Sequence, residues 1–381
     1  MSARRRLYWR PHQVSLAELL FLAVAALALL AVVELWLVGR PQPDHLLRMR
    51  AATLTRDAQQ VIKAHRLAHG PPLEPAVDPM GTGLIGTYST PVTSTPGVLS
   101  AKQTATNPNY AGVVVRDLVA AGVKPGDVVA VGVSGSFPGL NIAVFAACKV
   151  MRLDCLVIAS ATGSQWGANH PDLLWIDMER LLVDAGVFTL RSRAASYGGL
   201  RDRAIGLGAE GHRLLDRGIA RNGLDYIESE SIEAAVDARM ARYAEWAGGR
   251  PIAAYVNVGG GTASVGSTLG KKMYQPGLNL RPPGQPVPVP AVMDRFARQG
   301  VPVLHFTNIN VIARKAGLPV APTEAQVPGE GQLFVRVRYN RWLAAGAALL
   351  LFGLIVAVVR TEWGHRLFGR FGGKPPPEQM V

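Results

Sequence analysis

The chain has 381 residues, of which 49% are apolar and 18% charged, and 40 basic against 27 acidic side chains give a formal charge of +13. The apolar share excludes a disordered or collagen-like chain, and the low charged share excludes a coiled coil. Two cysteines are too few for a disulfide scaffold. The length predicts one large or two small domains, with any membrane-spanning segments in addition.

Two long apolar runs lie near the ends of the chain. Residues 14–39 are interrupted only by Glu18 and Glu34 near the two ends, and residues 342–359 carry no charge. About 20 apolar residues cross a bilayer core, so both runs predict transmembrane helices, with a buried core helix as the alternative. The first run is too long for a cleaved signal peptide, which favours a retained signal anchor. The tryptophans flanking the runs, as interfacial aromatics do, are Trp9, Trp36, Trp342 and Trp363.

Basic residues beyond the two runs predict the orientation. They are Arg4, Arg5, Arg6, Arg10, Arg360, Arg366, Arg370 and Lys374. Two spans place both tails on one side, and positive tails indicate the cytoplasmic side. Arginines also lie at the inner ends of the runs, which weakens the difference in positive charge between the tails and the segment between the runs. However, long translocated segments largely do not follow the charge rule. We therefore expect a protein of the cytoplasmic membrane with both termini cytoplasmic and the main domain extracytoplasmic.

Between the runs, helical and strand patterns alternate. Residues 43–69 predict an amphipathic stalk helix, and residues 79–96 predict an irregular loop. Further predicted helices are 110–121, 139–151, 171–185, 232–247, 292–299 and 309–316, and predicted strands are 128–133, 155–159, 252–258 and 301–306. Apolar strands between helices are typical of a parallel sheet covered on both faces. We predict an α/β fold, an open three-layer sandwich with a mostly parallel sheet, flanked by an N-terminal and a C-terminal transmembrane helix.

These patterns divide the chain into seven predicted segments. They are a basic tail (1–13), a transmembrane helix (14–39), a stalk helix and loop (40–97), the α/β domain (98–335), a juxtamembrane segment (336–341), a second transmembrane helix (342–359) and a tail (360–381).

The charge of the main domain limits its partners. Residues 40–341 carry +9 of the formal charge. A basic exported domain suits an anionic wall polymer or lipid headgroups. Nucleic acid is disfavoured because no basic block with interleaved aromatics occurs. Charge scattered over a solvated surface remains the alternative.

Ligands of open α/β sheets bind beyond the carboxyl ends of the strands, so we expect the functional residues in the loops there. Residues 132–141 follow the most apolar strand, where Gly135 permits close approach and Ser134 and Ser136 offer hydroxyls beside the start of a helix. Ser134 also matches the serine of a G-x-S-x-G nucleophile elbow, although Ser136 replaces the final glycine. An anion site, a nucleophile and a serine-capped helix all stay open.

A second loop contains three consecutive glycines after another apolar strand. Their entropic cost indicates that close approach or positive φ is required there. A nest of backbone N–H groups for a carboxylate is the functional interpretation, and a flexible connection is the alternative. The residues expected to bind are Asn257, Gly259, Gly260, Gly261, Thr262 and Ser264, with charge from Lys271 and Lys272.

The third loop, residues 160–170, gathers hydroxyls, amides and one indole. The residues expected to bind a ligand are Ser164, Gln165, Trp166 and Asn169. His170 is a candidate base, but His305, at the end of the last strand, is the better one. A Ser134–His305 pair, oriented by Asp177 or Glu179, would resemble acyl-transfer machinery. A hydrogen-bonded core histidine is the alternative for His305.

Other motifs indicate less. Residues 206–211 match G-x-G-x-x-G, but no strand precedes them, and no phosphate-binding loop occurs. Cys148 and Cys155 predict small core residues, and no Cys or His spacing suggests zinc. We therefore expect no metal and no cofactor.

Several motifs together resemble the poly-γ-glutamate system protein family. They are residues 81–86, 90–94, 102–104, 133–138, 164–169 and 257–264, and the similarity covers nearly the whole chain. These are membrane proteins associated with bacterial assembly of a poly-γ-glutamate capsule or secreted polymer. The resemblance implies a pathway and other synthase subunits as partners, but it implies no reaction, so no catalytic residue is carried over from it.

The residues and the resemblance lead to one main hypothesis. A basic outer domain with anion sites at its strand ends suits a polymer bearing one carboxylate per residue. We expect a membrane-anchored accessory protein that binds poly-γ-glutamate or a glutamyl precursor during synthesis or export. The alternatives are a serine-dependent hydrolase or transferase acting on the polymer's amide bonds, and a non-catalytic scaffold for the synthase complex.

Overall fold

The computed structural model describes residues 14–360, and the predicted tails 1–13 and 360–381, apart from residue 360, lie outside the described residues. The described chain forms two units. The central unit is Pro41–Val335, and the terminal unit consists of the described residues up to Arg40 and from Arg336 onward.

The elements alternate along the chain much as their patterns predict. The helices are α1 (Leu16–Leu35), α2 (His45–His69), α3 (Leu99–Ala105), α4 (Tyr110–Ala120), α5 (Pro138–Met151), α6 (Trp175–Asp184), α7 (Ala209–Arg221), α8 (Ile232–Ala247), α9 (Thr262–Val265), α10 (Thr268–Met273), α11 (Val292–Arg298), α12 (Ile309–Ala316) and α13 (Arg341–Arg360). The strands are β1 (Leu37–Pro41), β2 (Val128–Ser134), β3 (Asp154–Ser160), β4 (Asn169–His170), β5 (Leu173–Leu174), β6 (Ala194–Ser196), β7 (Asp225–Tyr226), β8 (Ile252–Val258), β9 (Gly277–Asn279), β10 (Val303–Phe306) and β11 (Val335–Tyr339).

The terminal unit contains the two apolar helices, α1 and α13, and the strand pair β1–β11. Both helices are long and apolar enough to cross a membrane. A capping box begins α1, because Ser15 Oγ accepts from Glu18 N at 3.3 Å and the Glu18 carboxylate accepts from Ser15 N at 2.7 Å. The helix ends at Leu35, earlier than the predicted residue 39, because the following residues form a strand.

The central unit is built on a seven-stranded sheet in the order β7-β6-β3-β2-β8-β10-β9. Neighbouring strands are parallel except β9, which pairs antiparallel with β10 at one edge. The predicted α/β class with a mostly parallel sheet is therefore confirmed. The parallel arrangement follows from the helices between consecutive strands, since a parallel pair needs a long crossover connection.

Side chains of successive strand residues enter two separate hydrophobic clusters. Val129, Val131 and Val133 pack in the larger cluster with α2, α4, α5 and α6, whereas Val128 and Ala130 pack in the smaller one with α8 and α11. Because side chains alternate along a strand, each cluster covers one face of the sheet. Burial on both faces explains why these strands lack polar alternation.

Helix α2 has nearly the bounds predicted for a stalk but is part of the central unit. Ala51, Ala52, Ala58 and Ile62 are fully buried in the larger cluster. The apolar stripe that suggested an amphipathic stalk is therefore the face that packs on the helices α4, α5 and α6. Near its start, Arg48 donates to Leu333 O at 2.8 Å and Gln42 N donates to Phe334 O at 2.8 Å, so the first and last segments of the unit are fastened together.

Cys148 of α5 and Cys155 of β3 are buried as predicted, but they form a disulfide with a Cα–Cα distance of 6.4 Å. Their prediction as small core residues therefore needs a correction. Helix α5 ends at Met151, and Arg152 at its C-cap adopts the left-handed conformation. This tight turn leads the chain directly back into β3, which brings the two cysteines together.

Candidate functional site

A cleft opens where the strand order reverses. The chain runs from β2 outward through β3, β6 and β7, and then starts again beside β2 with β8. Ligands of open α/β sheets bind at such a switch point, beyond the carboxyl ends of the strands. A cavity of about 400 Å³ lies there, lined by residues that follow β2, β3, β6, β8 and β10. We call it the strand-end cleft.

Hydroxyl groups and two lysines dominate the polar lining of the strand-end cleft. The hydroxyl residues at the ends of β2 and β3 or in the loops after β2, β3 and β8 are Ser134, Ser136, Ser160, Thr162, Ser164 and Thr262. Lys102 of α3 and Lys271 of α10 supply the charge, and none of the described residues lining the cleft is acidic. A lining of this kind favours a ligand with negative charge.

Lys102 is the most deeply buried cation of the cleft. Its side chain, 3% exposed, donates from Nζ to Ser164 Oγ at 2.6 Å and to the carbonyl oxygen of Ser136. The Nζ atom also lies 4.0 Å from the centre of the Phe137 ring. Burial lowers the pKa of Lys102 to about 7, because the charged form loses its hydration. The amine therefore exchanges its proton near neutral pH.

Lys271 belongs to the cleft, whereas its neighbour Lys272 is exposed and does not line it. Burial lowers the pKa of Lys271 as well. Of the two lysines predicted to add charge to the glycine loop, the structure therefore places one at the site.

The glycine loop begins with a close approach to β2. Gly259 has φ = 96°, and a Cβ atom at this position would collide with Ser134 Oγ. Asn257 lies beneath the loop, where its Nδ2 donates to Gly259 O at 2.9 Å. Gly260 and Gly261 line the cleft. The glycine at position 259 thus serves the packing of two strand ends, and the following two present backbone to a ligand.

His305 is held in the sheet away from the serines. It is fully buried, with Nδ1 at 3.1 Å from Asn257 Nδ2 and Nε2 at 2.8 Å from Thr307 Oγ1. Burial, with a smaller contribution from the charge of Lys271, lowers the pKa of His305 to about 4. The structure supports the alternative of a hydrogen-bonded core histidine, since both ring nitrogens have partners other than Ser134.

The two carboxylates considered as orienters of His305 serve other contacts. Asp177 accepts from Asn222 Nδ2 at 2.7 Å and pairs with Arg221. Glu179 accepts from Ser192 N at 3.0 Å. The predicted arrangement of Ser134, His305 and a carboxylate is therefore not formed by the described residues.

The third loop divides into one cleft residue and several fastening residues. Ser164 lines the cleft, while Gln165 Oε1 accepts from Gly97 N at 3.0 Å. Asn169 Nδ2 donates to Thr87 O at 2.9 Å, and the Trp166 ring packs edge-on against Tyr88. These contacts hold the irregular segment before α3 against the loop after β3, so Gln165, Trp166 and Asn169 have structural roles.

Two more predicted ligand residues have packing roles. Gly135 allows the first and third loops to touch, because a Cβ atom there would lie 2.9 Å from Thr162 O. Ser264 Oγ lies beside Gly132 of β2, outside the cleft. His170 Nδ1 accepts from Asp172 N at 3.3 Å and also lies outside the cleft.

Prediction from the sequence missed Lys102, Ser160 and Thr162 as site residues. Ser160 and Thr162 lie in the hydroxyl-rich third loop, which was the available signal. For Lys102, the only signal in the sequence was its position in a motif that resembles the family. The pattern of a short helix does not indicate that one of its side chains reaches the carboxyl ends of strands distant in the chain.

A buried ion pair supports one wall of the cleft. Ser196 Oγ, at the end of β6, donates to Asp202 Oδ1 at 2.8 Å and accepts from Arg239 Nη2 at 2.7 Å. Asp202 and Arg239 pair directly and are almost fully buried. The loop that they fasten contributes Gly199 and Leu200 to the lining.

Comparison with protein-family models, with curated proteins and with solved structures gives no match. Within residues 14–360, no group of three or more His, Cys, Asp or Glu side chains is placed to hold a metal ion. The groups present offer cationic hydrogen-bond donors, hydroxyls and backbone amides.

Proposed function

We propose that the central unit binds a polymer of carboxylate-bearing residues in the strand-end cleft, as an accessory protein of bacterial poly-γ-glutamate synthesis or export. The observation that carries the proposal is that Lys102 and Lys271 both line the cleft, whose described lining is rich in hydroxyl groups and contains no acidic residue. Poly-γ-glutamate, or a glutamyl precursor, is the ligand suggested by the motifs that resemble the poly-γ-glutamate system proteins.

The lining suits a carboxylate for two reasons. Charged donors form the stronger hydrogen bonds to anions, and burial in the cleft reduces the screening of Lys271 by solvent. Hydroxyls and the backbone of Gly260 and Gly261 can donate to the remaining oxygens.

We further propose that α1 and α13 anchor the protein in the cytoplasmic membrane, with both termini cytoplasmic and the central unit, an open three-layer sandwich, outside. The exposure of apolar side chains on these helices supports anchoring. Leu16 is 74% exposed and Leu349 is 72% exposed, which is unfavourable in water and favourable in lipid. Membrane lipid and other synthase subunits are then the neighbours of these helices.

The disulfide supports the extracytoplasmic placement. Disulfides persist in oxidising compartments and are rare in the bacterial cytoplasm. The Cys148–Cys155 bond lies in the central unit, the part that we place outside.

A binding measurement tests the proposal. The full chain in nanodiscs of zwitterionic lipid is titrated against fluorescent oligo-γ-glutamate of defined length, with anisotropy as the readout. We expect Lys271→Met to weaken binding about tenfold or more, because a charge-assisted hydrogen bond contributes about 1.5–3 kcal/mol. The matched control is Lys124→Met, an exposed lysine in the turn before β2, at the amino end of this strand, whereas the cleft lies at the carboxyl ends. Affinity that is insensitive to salt and equal in the two variants would contradict the proposal.

A further inference from the structure

Ser164 and Lys102 form a close pair inside the strand-end cleft that anion binding alone does not require. Lys102 Nζ lies 2.6 Å from Ser164 Oγ. Both side chains are at least nine-tenths buried, and both line the cavity. A buried cation is unfavourable without a carboxylate partner, and the groups that accept hydrogen bonds from Lys102 Nζ are a serine hydroxyl and a carbonyl oxygen.

We propose that Ser164 is a nucleophile and Lys102 its general base, and that this pair cleaves amide-linked acyl chains bound in the cleft. The identification of the chain as a γ-glutamyl polymer rests on the proposed function. The assignment of the pair rests on its own geometry, since a nucleophile and its base must lie within hydrogen-bond reach.

The protonation of Lys102 supports the base role. Burial lowers its pKa to about 7, so a large fraction of the amine is neutral at physiological pH. A neutral amine can donate one N–H to Ser136 O and direct its lone pair toward the Ser164 hydroxyl. Lys271 is the other titratable group that lines the cleft, and burial alone accounts for the lowered pKa of Lys102. The Phe137 ring, 4.0 Å from Nζ, favours the protonated form instead.

The reaction balances with water as the co-reactant. Ser164 Oγ attacks the amide carbonyl carbon while Lys102 Nζ takes the hydroxyl proton. The C–N bond then breaks, and Lys102 returns that proton to the leaving amine, which leaves an ester on Ser164. Water attacks the ester carbonyl and gives a proton to Lys102, and the C–O bond to Ser164 breaks as Lys102 reprotonates the serine. The net change is amide plus water to carboxylic acid plus amine.

Ser164 is a better nucleophile than Ser134, the serine that the sequence suggested. Ser134 Oγ is packed against Gly259 and lies 3.4 Å from Ser136 N, without a basic group among its hydrogen-bond partners in the described chain. Ser164 has the amine directly beside it. The first and third loops are joined at this point, because Ser164 N donates to Ser136 Oγ at 3.2 Å, which fixes the position of the nucleophile.

Modification of the full chain in detergent tests the nucleophile without the polymer. An alkyl fluorophosphonate should react at Ser164 Oγ with loss of fluoride, and peptide mass spectrometry locates the adduct. We expect the rate of modification to rise with pH and level off above about pH 7. Lys102→Arg should slow it about 10²–10⁴-fold, because a guanidinium remains protonated and cannot act as a base. Lys124→Met and Ser89→Ala, at exposed positions outside the cleft, are the controls.

Incubation with oligo-γ-glutamate separates this inference from the proposed function. Cleavage that disappears in Ser164→Ala supports both. Polymer that is bound but remains intact overturns the inference and leaves the proposed function standing. Adduct formation at Ser164 without any polymer binding overturns the proposed function, but the assignment of Ser164 as nucleophile and Lys102 as its base still stands. If the chain neither binds the polymer nor forms the adduct, both the inference and the proposed function are wrong. If Ser164→Ala does not fold, the position of the adduct in the unaltered chain still decides the matter.

Discussion

Lys102 Nζ and Ser164 Oγ lie 2.6 Å apart although 62 residues separate them in the chain. The contact exists because the segment before α3 is fastened to the loop after β3. Ser94 N donates to Gly163 O at 2.9 Å, and Gln165 N donates to Thr95 O at 3.0 Å. The strand-end cleft therefore depends on how an irregular segment docks on the sheet.

The burial of Lys102 makes stability depend on pH. Its pKa is about 7 in the folded chain and 10.5 when exposed, so between these values the unfolded chain holds a proton that the folded chain lacks. The free energy of unfolding should therefore rise with pH from about 7 to 10.5. Denaturation of the detergent-solubilised chain, followed by fluorescence of the buried Trp175, measures it.

The Lys102→Met variant should lose the part of this rise that Lys102 contributes and keep the part from Lys271, whose pKa burial also lowers, whereas Lys124→Met should retain the whole rise. Lys124 is exposed, so its charge is hydrated in both states. Parallel pH curves for the unaltered chain and Lys102→Met would show that the amine keeps its proton on folding.

Loss of the Cys148–Cys155 bond should destabilise the central unit. The bond closes a short loop between α5 and β3. The chain-entropy model predicts a loss of about 2–3 kcal/mol in the free energy of unfolding for Cys148→Ser with Cys155→Ser. Urea denaturation with and without reductant measures the effect. Reductant should destabilise the unaltered chain and leave the double variant unchanged; an equal response of both would contradict the prediction.

The buried pair of Asp202 and Arg239 should contribute far more to stability than an exposed pair. Asp202→Asn leaves a buried guanidinium without its counter-ion, which should cost about 3–5 kcal/mol. The control is Asp225→Asn, since Asp225, whose side chain is 70% exposed, pairs with the partly exposed Arg242, and such a pair should contribute less than about 1 kcal/mol. Similar midpoints for the two variants in thermal denaturation would argue against a structural role for Asp202.

The proposed membrane topology predicts which surface positions react from outside the cell. A cysteine introduced at Glu245, which is exposed on α8, should react with a membrane-impermeant maleimide in intact spheroplasts. Protection of this position until the cells are lysed would place the central unit in the cytoplasm. The reagent should reach a second exposed position, Lys124→Cys, to the same extent.

The elements of the sheet could be predicted because burial on both faces leaves a clear apolar signal. The strand Ile252–Val258 and the helices Ile232–Ala247 and Ile309–Ala316 have the bounds that their patterns predicted. Short edge strands such as β7 and β9 give no such signal. Helix α7 was missed because its glycines, Gly211 and Gly218, weaken the helical pattern.

The location of the site at the strand ends was predictable, but its composition was only partly so. Ser134, Ser136, Ser164, Gly260 and Gly261 were predicted and line the cleft. Residues such as Asn169 and Gln165 are polar for a different reason, because they satisfy the backbone of an irregular segment. Sequence distinguishes poorly between a polar group that binds a ligand and one that holds a loop.

The fastening of Gln42 to Phe334 has a consequence for protein engineering. Because the first and last residues of the central unit are neighbours, the segment can be removed as a cassette, and its two ends can be joined by a short flexible bridge. New termini could then be opened in an exposed turn, such as the one at Lys124, without cutting through the sheet.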